Sequence, residues 1–483
     1  MTLQALLDAA RLPAGSLAAQ ALALPVTRVT DRVDHLEPDC VFVCIAGAKF
    51  DGHDAAPQAT AAGAALVVVG RPMGQPRELI AADPRAAYAR LCAAFFGNPA
   101  DALTLIGITG TNGKTTTAFL LKEILEFTGQ KTGLIGTVQN MVGDESFPAA
   151  LTTPDPWDLH ALFAQMVGAG CSHCVMEASS QALAQRRVSG LRFRAAVFTN
   201  LTQDHLDYHG TFQAYREAKR QLFAQCDIAV INRDDEAGPA MLADSPARAV
   251  TYSIHNDRAD YTAKNLTLQR AGVSYELVTQ GRIGRVQFAM PGEFSAYNSL
   301  AAAAVALELG LELPAVLEAL GNSRGVPGRM ELVPTGTAFS VVIDYAHTPD
   351  GLDNVLRALR GTTAGRLITV LGCGGDRDKT KRPVMGRLAA DRSDVVIVTS
   401  DNPRTENPDA IIEDILAGVR HKSGVFVEPD RRRAIALALK KARAGDVVLL
   451  AGKGQETYQI LGAEKIFMDE REIVREILFP PCQ

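Results

Sequence analysis

The chain has 483 residues, and at roughly 100–200 residues per domain this length predicts two to four domains. It is 47% hydrophobic and 21% charged, which are ordinary values for a globular protein with a full core. The net charge is -5, which excludes the basic surface of a typical nucleic-acid-binding protein and the polybasic signal of a membrane-surface protein.

The amino terminus and the cysteines indicate the compartment. Residues 1–15 contain an acidic side chain and are only modestly hydrophobic, so they do not have the pattern of a signal peptide. No stretch approaches the roughly 20 apolar residues that span a bilayer. Cys171 and Cys174 form a CxxC pair, but no second pair follows, as a zinc site would usually require. We therefore predict a cytoplasmic protein without membrane insertion, with this pair as semi-buried thiols on a strand.

Short apolar runs alternate with helical patterns along the whole chain. The predicted strands are 41–47, 65–70, 103–109, 173–179, 195–201, 228–235, 339–347, 366–375, 394–403 and 446–454, and the predicted helices include 115–129 and 349–361. This alternation is typical of parallel, doubly wound sheets, in which ligands bind beyond the carboxyl ends of the strands. Polar residues cluster at those ends, so we expect functional sites there.

Glycine and proline clusters mark two breaks, near residues 95–101 and 323–331. They predict three α/β domains at 1–100, 101–330 and 331–483. We expect a mostly parallel central sheet domain of the P-loop type and a Rossmann-like carboxy-terminal domain. Nothing in the sequence indicates an oligomeric state.

The most specific motif is a glycine-rich loop between a predicted strand and a predicted helix. Its glycines let backbone amides turn toward a phosphate, and the helix amino terminus adds its positive end. Lys114 can reach the β- and γ-phosphates of a nucleotide, and the Thr115 hydroxyl suits Mg²⁺. The predicted nucleotide-binding residues of this loop are Gly110, Thr111, Asn112, Gly113, Lys114, Thr115 and Thr116. The loop alone fits an ATPase, a kinase or a ligase.

Two other strand ends carry candidate metal ligands. Glu177 lies in the segment MEASS, and DHLDYHG at 204–210 contains two histidines and two aspartates. Carboxylate and imidazole groups near a phosphate loop suit Mg²⁺ held between protein and nucleotide. We therefore predict a second functional cluster that includes His205.

The motifs TGTNGKTT, MEASS, FTNLTQDHLDYHGTFQAYREAK and VVIDYAHTPD resemble those of the Mur ligase family, in the same order, from about residue 100 onward. The resemblance implies that Lys219 is carbamylated and helps to hold Mg²⁺, and that Asn298, Arg329 and Asp344 bind ATP. It implies the catalytic residues Lys114, Lys219 and His205. It implies the metal ligands Thr115, Glu177, His205 and Lys219.

Three segments of the last third, 372–383, 400–408 and 451–459, resemble the family members that add the third residue of the peptide stem. The form DNPR is associated with meso-diaminopimelate, and the Arg404 guanidinium offers a bidentate fork for its second carboxylate. Glu456 suits its distal ammonium. The diamino-acid-binding residues implied are Arg377, Asp401, Asn402, Pro403, Arg404, Gly452 and Glu456. Those implied for the UDP-linked muramoyl dipeptide are Thr152, Thr153, Ser179, Gln185 and Arg187.

The resemblance thus implies an ATP- and Mg²⁺-dependent amide ligase of peptidoglycan synthesis. It would join meso-diaminopimelate to UDP-N-acetylmuramoyl-L-Ala-D-Glu through an acyl phosphate, with these small molecules and no nucleic acid as partners. The sequence departs from the family at Gln181, Ser295 and Gln455, and its uridine-contacting DSR element is not intact, so we assign no uridine contacts. L-lysine or L-ornithine as the amine is an alternative, as is another Mur or folylpolyglutamate-type ligase. An ATP-hydrolysing switch protein is a distant one.

Overall fold

The computed structural model describes residues 1–15, 17–47, 50–269, 272–420 and 423–479. Its strands form sheets of four, eleven and six strands, together with a two-stranded hairpin. No described helix is long and apolar enough to cross a membrane. The α/β class predicted from the sequence is confirmed.

The amino-terminal region is built on the four-stranded sheet, which is parallel throughout and has the order β1-β2-β3-β4. Its elements are α1 Leu3–Ala9, α2 Ala19–Leu22, β1 Val29–Thr30, β2 Val41–Val43, α3 Ala56–Ala61, β3 Leu66–Val69, β4 Glu78–Ile80 and α4 Pro84–Phe95. Strands β2 and β3 are buried at every position, as continuous apolar runs in parallel sheets are. Helix α4 begins with a proline, and the Asp83 carboxylate accepts from the backbone N–H of Ala86.

The central region contains the eleven-stranded sheet, ordered β15-β14-β13-β12-β11-β10-β5-β9-β6-β7-β8. Its strands are β5 Thr104–Thr109, β6 Thr132–Ile135, β7 Gln139–Val142, β8 Glu145–Pro148, β9 His173–Glu177, β10 Phe193–Phe198, β11 Cys226–Asn232, β12 Arg248–Ser253, β13 Tyr261–Gln269, β14 Gly272–Thr279 and β15 Arg282–Phe288. Its helices are α5 Lys114–Phe127, α6 Pro156–Gly168, α7 Ser180–Ala184, α8 Leu206–His209, α9 Phe212–Arg220, α10 Gly238–Met241, α11 Glu293–Glu308 and α12 Leu313–Asn322.

Strand β5 is the point at which the order of this sheet reverses. It pairs in parallel with β10 on one side and with β9 on the other, so the chain winds away from it in both directions. A crevice forms beyond the carboxyl ends of the strands at such a switch point. The glycine-rich loop follows β5 directly and therefore opens into this crevice. Antiparallel strands, β13 to β15 and β6 to β8, complete the two ends of the sheet.

The carboxy-terminal region has the six-stranded sheet, ordered β16-β17-β21-β18-β19-β20 and parallel apart from β16. Its strands are β16 Glu331–Val333, β17 Ser340–Asp344, β18 Leu367–Leu371, β19 Val395–Val398, β20 Val425–Val427 and β21 Val447–Ala451, and the hairpin strands are β22 Tyr458–Leu461 and β23 Glu464–Phe467. Its helices are α13 Pro349–Thr362, α14 Lys381–Arg392, α15 Pro408–Leu416, α16 Arg431–Lys441 and α17 Glu470–Leu478. Helix α13 begins at a proline, with Thr348 accepting from the Gly351 N–H at 3.1 Å.

The prediction of a CxxC pair of semi-buried thiols on a strand is confirmed only for the strand position of Cys174, and both thiols are more deeply buried than predicted. Cys174 is on β9, Cys171 precedes that strand, and both are buried free thiols. Burial raises the pKa of both thiols, and their reactive thiolate forms are correspondingly disfavoured. The pair therefore belongs to the core beside β9.

Helix α6 buries a histidine that lacks hydrogen bonds. His160 is 1% exposed, its ring centre lies 5.6 Å from that of Phe163, and neither of its ring nitrogens has a partner among the described residues. Burial lowers the pKa of His160 to about 4. Protonation of His160 is thus unfavourable in the folded chain. In the unfolded chain His160 has the usual histidine pKa of about 6.5.

We expect His160 to make the protein less stable in mild acid. As the pH falls from 6.5 to about 4, the unfolded state binds a proton that the folded state does not, so the free energy of unfolding falls. The total loss from this group is about 3 kcal/mol. Denaturant unfolding at about pH 7 and about pH 5 should show a drop about 2 kcal/mol larger in the wild type than in His160→Leu. Equal drops in the two proteins would contradict this origin.

Candidate active site

A cavity of about 580 Å³ lies between the central region and the carboxy-terminal region. Central residues that line it include Thr111, Asn112, Gly113, Lys114, Thr115, Thr116, Thr152, Glu177, Ser179, His205, Lys219 and Asn298. From the carboxy-terminal side it is lined by Arg329, Asp344, Tyr345, Ala346, His347 and Asp350. The residues predicted to bind the nucleotide, to bind the metal and to act in catalysis thus line a single cavity, apart from Gly110, which is adjacent to the lining residue Thr111.

The glycine-rich loop needs its two glycines for different reasons. At Gly110, with φ 149°, an added Cβ would lie 1.8 Å from Thr199 Oγ1. At Gly113, with φ 86°, it would lie 2.4 Å from Asn298 Oδ1. The loop is therefore packed against two neighbouring segments, and helix α5 starts at Lys114, directly after Gly113. The first amides of a helix lack intrahelical acceptors, which gives this end of α5 the donors that an anion needs.

Two lysines converge on a single carbonyl of this loop. Lys219 Nζ, on the buried side of α9, donates to Gly110 O at 2.7 Å, and Lys114 Nζ donates to the same oxygen at 3.0 Å. Burial, followed by the charge of Lys114, lowers the pKa of Lys219 well below its usual value. Burial also lowers the pKa of Lys114. Lys219 is 1% exposed, so burial beside a second lysine disfavours its ammonium form and favours the neutral amine.

Glu177 is fixed at the carboxyl end of β9 by Thr137. Its Oε1 accepts from the Thr137 N–H at 2.9 Å and its Oε2 accepts from the Thr137 hydroxyl at 3.0 Å. The residue is 1% exposed and still lines the cavity. A carboxylate that is held in this way presents oxygen ligands in a fixed orientation.

His205 is the N-cap residue directly before helix α8 and has a left-handed backbone, with φ 53°. Its Nε2 lies 3.5 Å from Asp204 Oδ2. Burial lowers the pKa of His205, while Asp204 opposes the shift. Burial also lowers the pKa of His347, across the cavity, to about 4. Both imidazoles are therefore neutral near pH 7, which is the form that binds metals and accepts protons.

The donor atoms that line the cavity suit a magnesium ion that is shared with phosphates. Among the residues that the structure describes, no three His, Cys, Asp or Glu side chains come together as a complete metal site. The predicted ligands Thr115, Glu177 and His205 line the same cavity and supply a hydroxyl, a carboxylate and an imidazole. Mg²⁺ usually takes few protein ligands and completes its shell with water and phosphate oxygens. The residues fit such an ion, and a carbamate on Lys219 would add an oxygen ligand.

The predicted ATP residues of the carboxy-terminal side join the two regions. Arg329 Nη2 donates to Thr115 Oγ1 at 3.2 Å, and its guanidinium lies 4.3 Å from the centre of the Tyr345 ring. Asp344 accepts from the backbone N–H groups of Met330 and Ala346, both at 2.7 Å. Burial raises the pKa of Asp344, and Arg329 opposes this shift. Asp344 thus fixes the backbone at two positions beside the cavity, Met330 and Ala346.

A contact that the sequence did not indicate links the phosphate loop to helix α13. Asn112 Nδ2 donates to Asp350 Oδ2 at 2.7 Å. The Asn112 N–H donates to Asn200 Oδ1 at 2.9 Å. Asn112 is therefore held from both regions at once. Tyr345, His347 and Asp350 are among the cavity residues to which the motifs assigned no role.

The residues predicted for the muramoyl dipeptide form a connected network beside Glu177. The hydroxyls of Thr152 and Thr137 lie 3.0 Å apart, and Thr153 Oγ1 lies 3.3 Å from Ser179 Oγ. Arg187 donates to Thr153 O at 2.7 Å. It also donates to Gln185 Oε1 at 2.7 Å and 3.0 Å and pairs with Asp155. Thr152 and Ser179 line the cavity directly, and Thr153, Gln185 and Arg187 do not.

Six of the seven predicted diamino-acid residues lie on the loops that follow β19 and β21, and Arg377 lies on the loop that follows β18. Asn402 Nδ2 donates to Glu456 Oε2 at 2.8 Å, and Arg404 Nη1 donates to Gly375 O at 2.7 Å. Gly452 has φ 111°, and a Cβ there would lie 2.7 Å from Asp401 Oδ2. Pro403 is buried beside them. Arg377 stands apart, because it is exposed and donates to its neighbour Asp376 O.

The three positions that depart from the family differ in their polar contacts. Ser295, in the first turn of α11, donates to Pro291 O at 2.8 Å. Gln455 Oε1 is buried without a partner among the described residues. Gln181 is half-buried in α7. The departure at 455 therefore leaves an unpaired acceptor close to the diamino-acid loops.

Comparisons with known proteins agree with this arrangement. Residues 34–91 match the Mur ligase family catalytic domain, 108–306 the Mur ligase middle domain and 328–454 the Mur ligase glutamate ligase domain. A UDP-N-acetylmuramoyl-L-alanyl-D-glutamate--2,6-diaminopimelate ligase of Gloeobacter violaceus is 48% identical over 92% of each chain. A protein with that name followed by the numeral 1, from Clostridium acetobutylicum, is 45% identical over 91% of this chain and 92% of its own. A solved structure of a ligase with that name has a TM-score of 0.72 and 33% identity over 99% of each chain.

Proposed function

The chain belongs to the Mur ligase family, and we propose on that basis that it adds meso-diaminopimelate to UDP-N-acetylmuramoyl-L-Ala-D-Glu in peptidoglycan synthesis. The observation that carries this proposal is the position of Tyr345. It lines the cavity of the phosphate loop, and it packs against Gly454 in the loop that bears Glu456. Tyr345 would therefore stand between the proposed nucleotide site and the proposed diamino-acid site.

The reaction has two steps, and the chain contributes charge and position. The γ-carboxylate of D-glutamate attacks the γ-phosphorus of ATP, and the bond from that phosphorus to the β,γ-bridging oxygen breaks. ADP departs, and the glutamate carboxylate has become an acyl phosphate. The amine of the diamino acid then attacks the acyl carbon, loses a proton and expels phosphate. Lys114 and Arg329 stabilise the charge on the transferring phosphoryl group. Enclosure between the two regions keeps water from the acyl phosphate.

We assign Lys219 the role of a carbamylated metal ligand. The neutral amine attacks CO₂, forms a carbamate and releases a proton, and the depressed pKa of Lys219 supplies that neutral form. Thr115, Glu177, His205 and the carbamate would then hold Mg²⁺, which neutralises phosphate charge when bound. The proposed catalytic residues are Lys114, Lys219 and His205, of which the last two are also metal ligands. Asn298, Arg329, Asp344 and the loop 110–116 bind ATP.

The other roles follow from the same resemblance. Thr152, Thr153, Ser179, Gln185 and Arg187 would bind the muramoyl dipeptide. The regions 1–100, 101–330 and 331–483 would take the UDP substrate, ATP and the diamino acid. Because ATP and UDP-linked precursors are cytoplasmic metabolites, we place the enzyme in the cytoplasm.

Arg404 carries the choice of diamino acid in this proposal. One edge of its guanidinium is held by Gly375 O, and its Nε and Nη2 have no acceptor among the described residues. This free edge matches a carboxylate, which meso-diaminopimelate has at its far end and L-lysine and L-ornithine lack. The site is therefore complementary to the zwitterionic end of meso-diaminopimelate.

We expect phosphate release from ATP, Mg²⁺ and UDP-N-acetylmuramoyl-L-Ala-D-Glu to require meso-diaminopimelate. Separate reactions with L-lysine and L-ornithine are the controls. Arg404→Ala should raise the KM for meso-diaminopimelate about 10- to 100-fold, because a charge-assisted hydrogen bond is lost. Release with lysine or ornithine alone would retain the ligase and overturn the assignment of the amine. The absence of amine-dependent release would overturn the ligase proposal.

A further inference from the structure

A buried lysine lies within the proposed diamino-acid site without a role so far. Lys453 follows β21 in the segment 451–456, and its side chain is 0% exposed. A buried ammonium is stable only when it is paired and hydrogen-bonded. Its partners therefore identify what it does.

Lys453 closes a ring of three polar side chains. Its Nζ donates to Glu456 Oε2 at 3.1 Å and to Asn402 Oδ1 at 3.2 Å. Asn402 Nδ2 in turn donates to the same Glu456 Oε2 at 2.8 Å. The ring is anchored to the backbone because the Ile460 N–H donates to Asn402 Oδ1 at 3.0 Å.

The ring leaves Glu456 in one defined orientation. Both donors converge on Oε2, and Oε1 has no partner among the described residues. The carboxylate can therefore accept from a ligand ammonium through Oε1 without losing either protein contact. Lys453 itself is fully enclosed and cannot reach such a ligand.

We propose that Lys453 is a positioning residue that sets Glu456 and Asn402 for the distal ammonium group of the diamino acid. This inference rests on the proposed function.

The test compares Lys453→Met with the wild type in phosphate-release assays that vary each substrate in turn. The KM for meso-diaminopimelate should rise about 10- to 100-fold, while the KM values for ATP and the UDP-linked dipeptide should change less than about 2-fold. Lys453→Gln, which keeps a donor, should give a smaller rise. The matched control is Lys122→Met, because Lys122 is also a buried lysine paired with a glutamate, Glu126, but lies outside the cavity.

A double variant shows whether Lys453 acts through Glu456. In the background Glu456→Gln, the change Lys453→Met should raise the KM for meso-diaminopimelate by less than about 2-fold, because the coupled contact is already gone. Full multiplication of the two effects would overturn the proposal, as would similar rises in all three KM values or an unchanged KM for the amine. If Lys453→Met fails to fold by circular dichroism, Lys453→Gln serves in the same cycle. A wild type that releases no phosphate with any amine would instead overturn the proposed function.

Discussion

Replacement of Lys219 by alanine is expected to lower kcat by about 10²–10³-fold. The side chain is enclosed, donates to Gly110 O and stands beside Lys114, so its removal takes away the proposed carbamate and leaves a small hole. The variant Lys219→Ala should bind ATP nearly normally, since Lys114 and the loop amides are intact. Initial-rate phosphate release and nucleotide titration measure the two effects separately.

The hole left by Lys219→Ala provides an internal control. A small carboxylate such as acetate or formate has the size and charge to replace the carbamate, so adding it should restore part of the lost rate. Lys131→Ala is the matched lysine variant, because Lys131 caps the Ala169 carbonyl at the surface, away from the cavity. If Lys219→Ala kept most of the wild-type kcat, the proposal that a carbamate on Lys219 takes part in catalysis would be wrong.

Gly110→Ala is expected to destabilise the protein by about 3 kcal/mol and to remove most of its activity. The added methyl would overlap Thr199 Oγ1, which donates to Asn112 O at 2.6 Å and helps to hold the phosphate loop. The loop must open to admit the methyl group, which displaces the carbonyl that both lysines share. Chemical unfolding and phosphate-release assays on the same preparation report the two losses.

Gly129→Ala is the matched control for Gly110→Ala. Gly129 lies just after the other end of α5, with φ 84° and nothing within 4 Å of an added Cβ. Only the strain of a left-handed backbone applies there, about 1 kcal/mol, and the catalytic rate should be unchanged. Similar losses of activity in the two variants would show that the crowding at Thr199 is not the cause.

The parallel core of the fold follows directly from the sequence, and its flanks do not. Strand β5 is a continuous apolar run that a glycine-rich loop terminates, so both its burial and its position at the site are predictable. The antiparallel strands β13 to β15 alternate buried and exposed residues over several positions. Their pairing depends on neighbours in the folded sheet, and short-range patterns alone did not identify them.

The same distinction holds for the site. Lys114 and Arg404 lie in local motifs with a clear chemical meaning, and in the structure Lys114 lines the cavity while Arg404 lies on the loop after β19. Lys453 lies in a motif too, but its partner Asn402 is 51 residues away. No spacing rule predicts such a pair, because tertiary packing alone brings the two loops together.

The hydrogen bond between Asn112 and Asp350 has a thermodynamic consequence. It joins a loop of the central region to a helix 238 residues further along the chain. A ligand that orders the loop therefore also favours this position of the helix. By thermodynamic reciprocity, a ligand that fixes the helix favours the ordered loop. Any coupling that this bond transmits between a ligand on the loop and a ligand on the helix side has the same free energy in either order of binding.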